Sequence, residues 1–169
     1  MARPRILSDA AVFSAILRML AAEGEKSVAF SSVARATGLS GAALVQRYGT
    51  LPVMVEAALA WGWDQLSVQL ASVEADGIAA DKAPQALLRA LAERAADLPL
   101  VTLFAASQRY SALRQRAAAW RARVEAMVMA RTHDAEAAAM LFALWQGQLL
   151  WEGLGERGFR LKDAWKRLG

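Results

Sequence analysis

Residues 28–48, Val-Ala-Phe-Ser-Ser-Val-Ala-Arg-Ala-Thr-Gly-Leu-Ser-Gly-Ala-Ala-Leu-Val-Gln-Arg-Tyr, restrict the start of this chain more than any other stretch. They read as a helix, a tight turn and a second short helix. Gly38 stands where the first helix stops, and a residue without Cβ accepts the left-handed backbone common at helix ends. Leu39 is apolar and can pack between the two helices. Ser40 can cap the second by accepting a bond from a free backbone N–H. Two helices in this arrangement can place the second in the major groove of DNA.

The rest of the sequence also points to an all-α fold. Alanine dominates the 169 residues, there are only 4 prolines, and β-branched runs are few. A first helix is expected from Ser8 to Glu23, capped by Ser8 or Asp9 and stopped by Gly24. In it Phe13, Ile16, Leu17 and Leu20 repeat at the helical period. The turn motif predicts helices over 30–37 and 41–48. Thr50 can cap a fourth helix that tolerates Pro52 in its first turn. Its apolar stripe, Val55, Leu59, Leu66, Leu70 and Val73, implies a rod of about 35 Å at about 1.5 Å per residue. Gly62, between Trp61 and Trp63, marks a bend or a close contact within it. Residues 74–84 read as a loop. Helices are then expected over 84–97, 99–107, 111–131, 134–154 and 161–168. Gly153, Gly155 and Gly158 would end the last long one. The natural division is a head over 1–50 and a larger helical domain over 51–169.

Charge is uneven along the chain. Residues 1–50 hold six basic side chains (Arg3, Arg5, Arg18, Lys26, Arg35, Arg47) against three acidic ones (Asp9, Glu23, Glu25), a net +3 out of the chain's +4. A positive head suits a phosphate-facing surface, because neutralising backbone phosphates supplies most non-specific affinity for nucleic acid. With no cysteine there is no disulfide framework or thiolate chemistry. Met1 to Leu20 lacks an uninterrupted apolar core, so no signal peptide is read there. The apolar run Ala137–Trp151 is shorter than the roughly 20 residues that span a bilayer. The expectation is a cytoplasmic protein with no membrane partner.

The spacing of Val33, Ala34, Gly38, Leu39, Ser40 and Leu44 resembles the signature of the TetR family of transcriptional regulators. The motif covers about the first 60 residues. The resemblance implies a ligand-responsive DNA-binding regulator, more often a repressor, that works as a homodimer on a double-stranded operator. It also implies a DNA-facing surface. On and beside the third helix that surface comprises Ser40, Gly41, Ala42, Ala43, Gln46, Arg47 and Tyr48. Lys26, Ser31 and Arg35 would lie near phosphate, together with the arm carrying Arg3 and Arg5. Only Ser40 and Gln46 among the base-facing positions can hydrogen-bond to a base, and alanine can only touch a thymine methyl. Three positions depart from the family pattern, and each departure removes a phosphate contact. Ala29 replaces a capping threonine, Val45 a tyrosine, and Leu51 a lysine.

In the larger domain Trp61, Phe104, Tyr110, Trp120, Met127, Phe142 and Trp145 are candidates to enclose a small apolar or aromatic effector. Trp presents a flat apolar face and Met adapts its shape. Taken one at a time, each also fits an ordinary helical core. Leu113, Ala117, Trp120, Val124 and Met127 form one stripe, with Arg114, Arg116, Arg121 and Arg123 largely off it. Gln146, Gly147, Leu150 and Trp151 are the candidate dimer contacts. His133 is the sole histidine and is expected at a helix start, with Thr132 or Asp134 as cap. It cannot build a typical zinc site without cysteines or further histidines. No nucleophile elbow, phosphate loop or dinucleotide turn is present, so no enzyme, cofactor or metal is expected. The alternative reading is a metabolite- or lipid-binding protein on the same scaffold that has lost specific DNA binding.

Overall fold

The computed structural model describes residues 7–76, 83–151 and 160–168, and the described residues contain helices and no strand. The helices are α1 (Asp9–Glu23), α2 (Phe30–Thr37), α3 (Gly41–Tyr48), α4 (Leu51–Ala75), α5 (Pro84–Arg94), α6 (Leu100–Ser107), α7 (Ser111–Thr132), α8 (Ala135–Trp151) and α9 (Leu161–Leu168). A short 3₁₀ turn over Glu25–Ser27 links α1 to α2. The glycines at 153, 155 and 158, expected to end α8, lie outside the described residues.

Helix ends fall where local chemistry requires them. Ser8 accepts a bond from the Ala11 N–H and so caps α1. Gly38 ends α2 at φ 75° and ψ 8°, a left-handed backbone that a side chain would strain. Thr50 accepts weakly from Val53 N–H at the start of α4. Asp134 caps α8 through bonds from Glu136 and Ala137 N–H at 2.8 and 3.2 Å. His133 beside it is exposed and takes a left-handed φ of 55°.

The chain forms two compact units. The first comprises Met1–Gln65 and Leu98–Arg114 and therefore takes in α6 and most of α4 with the head. Its core is built on Val12, Ile16, Leu17, Val33, Leu44, Met54, Leu59, Trp63 and Leu103, all buried. Gly62 lets helices meet closely there. A Cβ at this position would lie 2.8 Å from Leu103 Cδ2 and 3.1 Å from Leu17 Cδ1. Gly62 thus marks the close contact that the sequence left open. Trp63 packs on Phe104 with ring centroids 5.7 Å apart. Its indole N–H donates to Ser107 Oγ at 3.1 Å.

The second unit comprises Leu66–Asp97 and Gln115–Gly169. Its core joins Leu66, Leu70 and Val73 of α4, Leu87, Leu88 and Leu91 of α5, Trp120, Val124 and Val128 of α7, and Leu141, Phe142 and Trp145 of α8. The Trp120 indole N–H donates to the Leu66 carbonyl at 3.3 Å. α9 packs on α8 and α5. Among the described residues no helix is long and apolar enough to cross a membrane. No cluster of three or more His, Cys, Asp or Glu side chains there is placed to hold a metal ion.

Candidate nucleic-acid interface

α2 and α3 pack against each other through Val33 and Leu44, both fully buried. Truncating Leu44 to alanine would cost about 2–5 kcal/mol, and truncating Val33, which has fewer methyl groups to lose, somewhat less. α2 lacks a side-chain cap at Ala29. Ser32 compensates from inside the helix, its Oγ accepting the Ala29 N–H at 2.9 Å and donating to Ser27 O at 2.7 Å.

The Ser40 side chain accepts from Ala43 N–H at 3.1 Å and caps α3. With Leu44 turned into the core, the opposite face of α3 presents Ala42, Val45 and Gln46 to solvent, while Gly41 and Ala43 are half-buried. The Gln46 amide makes no hydrogen bond among the described residues, so its donor and acceptor are both available. That is the combination that can read adenine through two bonds. Lys26, on the 3₁₀ turn, and Arg35, on α2, are exposed and have no ion pair among the described residues. Ser31 is exposed in the first turn of α2. Arg3 and Arg5 lie outside the described residues.

Arg47 and Tyr48 are placed differently from the rest of the set. The Arg47 guanidinium pairs with Asp9 at 2.9 Å and donates to the Leu7 carbonyl at 2.8 Å. Tyr48 is half-buried against Phe13, with ring centroids 5.7 Å apart, and its hydroxyl donates to Asp9. Burial pushes the Tyr48 hydroxyl pKa well above the usual tyrosine value, and the bond to Asp9 pushes the same way. The C-terminal end of α3 is therefore latched to the first turn of α1. Asp9 was legible only as a cap candidate, because nothing in the sequence joins residues so far apart.

The candidate effector set divides between the two units. Trp61, Phe104 and Tyr110 belong to the first. Trp61 packs on Phe13 and Phe104 on Trp63, while the Tyr110 hydroxyl reaches Glu25 at 3.4 Å. Trp120, Met127, Phe142 and Trp145 belong to the second. There Trp120, Phe142 and Trp145 form a closed trio with centroids 6.0–6.1 Å apart, each ring buried. Of the candidate dimer contacts, Gln146 and Gly147 are half-buried, whereas Leu150 is 49% and Trp151 62% exposed.

Comparison with solved structures places this architecture. The chain aligns over 94% of its length with 94% of a candidate transcriptional regulator from Streptomyces coelicolor A3(2), at a TM-score of 0.62 and 18% identity. It aligns over 95% of its length with 94% of a candidate TetR-family transcriptional regulator from Rhodococcus sp., at a TM-score of 0.61 and 19% identity. No family model and no curated protein matches the sequence. What is shared with these structures is the arrangement of helices, and this chain has the fold of the TetR-family transcriptional regulators.

Proposed function

We propose that this protein is a DNA-binding regulator of transcription of the TetR type. It acts in the cytoplasm by binding rather than by catalysis. The observation that carries the reading is the head itself. α3 is held by the Gly38 turn and the Ser40 cap, and it presents a solvent-facing surface with an unengaged Gln46 amide. The same head carries Lys26 and Arg35 as exposed cations without an ion pair among the described residues. Phosphate contacts fix register, and base-edge contacts then select sequence.

The reading extends to a homodimer, because one short recognition helix spans too few base pairs to specify a site and a two-fold dimer doubles it. The exposed apolar side chains of α8 support that extension. It extends also to a small apolar or aromatic effector that opposes DNA binding, most simply as a repressor released by its ligand. The closed Trp120, Phe142 and Trp145 trio must part a ring contact to admit such a molecule.

The test is selection of duplex DNA from a random library, followed by fluorescence anisotropy across salt concentrations. The proposal expects a recovered sequence with two related half-sites and a log–log salt slope that falls when Lys26 or Arg35 is replaced by Ala. The apolar recognition surface and the engaged Arg47 favour the second reading, a ligand-binding protein on this scaffold. That reading is supported if no sequence is enriched while tryptophan fluorescence still responds to an apolar metabolite.

A further inference from the structure

Helices α1, α4 and α6 close tightly where Leu17, Gly62 and Leu103 meet. One turn further along each helix they separate. Leu20, Leu59 and Ala106, each three residues from the point of closure, line a cleft of about 250 Å³. The buried Leu20, Leu59 and Ala106 give it an apolar floor, and the exposed Val101 and Ala105 join Gly24, Glu25, Thr102 and Arg109 around its mouth. This cleft belongs wholly to the first unit and contains none of the aromatic candidates considered above.

The rim is chemically lopsided. Both Glu25 carboxylate oxygens are engaged, Oε2 by Arg109 Nη1 at 2.7 Å and Oε1 by the Tyr110 hydroxyl at 3.4 Å. Arg109 spends only that one N–H, and its other guanidinium donors bond nothing among the described residues. The Thr102 hydroxyl also makes no bond there. The cleft therefore offers unspent donors above an apolar floor, with its only carboxylate already committed.

We infer that this cleft is a binding site for a small monocarboxylic acid with an apolar body. Its carboxylate takes the open edge of the Arg109 guanidinium, a planar fork suited to two parallel bonds. Its apolar part lies on Leu20, Leu59 and Ala106. At roughly 30 Å³ per water, the cleft holds about eight waters, or a ligand of about ten non-hydrogen atoms. That is just below the usual range for drug-sized molecules, and it sets an affinity between about millimolar and micromolar. Occupancy bears on α1, so the ligand would also alter the head. That consequence rests on the DNA-binding reading, whereas the binding itself does not.

The experiment is a ¹H–¹⁵N NMR titration of the full chain with phenylacetate, benzyl alcohol and benzylamine. Phenylacetate should shift resonances around Gly24, Thr102 and Arg109. Its affinity should fall at least tenfold in Arg109→Gln and rise in Glu25→Gln, where the competing carboxylate is gone. Ala105→Trp should block the cleft. Arg109, Glu25 and the cleft-lining Ala105 are all solvent-accessible, so circular dichroism should show each variant folded. Benzylamine or benzyl alcohol binding as tightly as phenylacetate would overturn the inference. So would equal phenylacetate affinity in Arg109→Gln, or no shift at all. Because this titration contains no DNA, its failure is separate from failure of the proposed regulatory role.

Discussion

Arg47, in the last turn of α3, and Asp9, in the first turn of α1, form an ion pair 2.9 Å long. The pair is partly exposed, so it adds only about 0.2–1 kcal/mol to stability. Its larger effect is positional, because it fixes the end of α3 against the helix that supports it. Asp9→Asn and Arg47→Ala should therefore both weaken DNA binding, by about twofold to tenfold, in line with a loss of up to about 1.4 kcal/mol. Anisotropy titrations of the two variants decide the matter. Tighter binding by Asp9→Asn would instead mean that Asp9 withholds Arg47 from phosphate.

The same latch makes a prediction about pH. Tyr48 is raised above its ordinary value by burial first and then by its bond to Asp9, with Arg47 pulling the other way. Tyr110 is raised too, again mainly by burial. A tyrosine with a raised pKa in the folded state favours folding fully below about pH 10, and loses that contribution as the pH climbs further. Urea midpoints should accordingly fall between pH 9 and pH 11. The fall should be shallower in Tyr48→Phe, which retains only the Tyr110 contribution. Parallel curves for the two proteins would contradict this.

Ala42 lies exposed on α3, and a methyl group there can meet the 5-methyl of thymine. Replacing thymine by uracil at the matching operator position should weaken binding about fourfold, the equivalent of about 0.8 kcal/mol per buried carbon. The same replacement should have no effect on Ala42→Gly. Equal loss in both proteins would remove Ala42 from the readout.

At Gly62 the helix gains about 1 kcal/mol from alanine, while forcing a methyl into a filled core costs about 1–3 kcal/mol. Leu103 and Leu17 are both buried and have little room to give way. Gly62→Ala should lose about 1 kcal/mol, a fall in Tm of about 2–4 °C for a chain of this size. Gly62→Val should lose more. A stabilised Gly62→Ala in calorimetry would show that Leu103 can move aside.

Leu150 is half exposed, and a Cβ on Gly147 would meet nothing within 4 Å. Leu150→Glu and Gly147→Phe should thus leave the folded chain intact. Both should separate a dimer built on α8, one by burying a charge and the other by blocking close approach. Sedimentation would then show monomers for both variants. If both remain dimeric, the contact lies on another face.

Much of the fold could be read from local chemistry. Gly38, Ser40 and Thr50 punctuate helices by the backbone groups they free or satisfy, and the stripe Val55, Leu59, Leu66, Leu70 and Val73 is buried as its period requires. The candidate site was less legible because its decisive contacts are tertiary. Arg47 reads from the sequence as a cation on α3, and its pairing with Asp9 of α1 is visible only in the fold. Trp61 and Trp63 are near neighbours in sequence, yet one packs on Phe13 and the other on Phe104. Helical period tells which face an aromatic occupies but not what that face meets. The division at residue 50 follows the motif alone, while the compact units are set by packing between helices distant in sequence, so that the first includes Met1–Gln65 and Leu98–Arg114.

Trp63 and Trp120 are 1% and 2% exposed, one in each compact unit, and each indole N–H is tied to an oxygen of its own unit. The chain thereby carries two intrinsic fluorophores in separate dry surroundings. Emission from such indoles shifts to longer wavelength when water reaches them. Variants keeping only one of the pair, with the other tryptophans replaced by Phe, would each report the melting of a single unit. Coincident denaturation curves would mean that both halves unfold in one cooperative step, and staggered curves would give each half its own free energy.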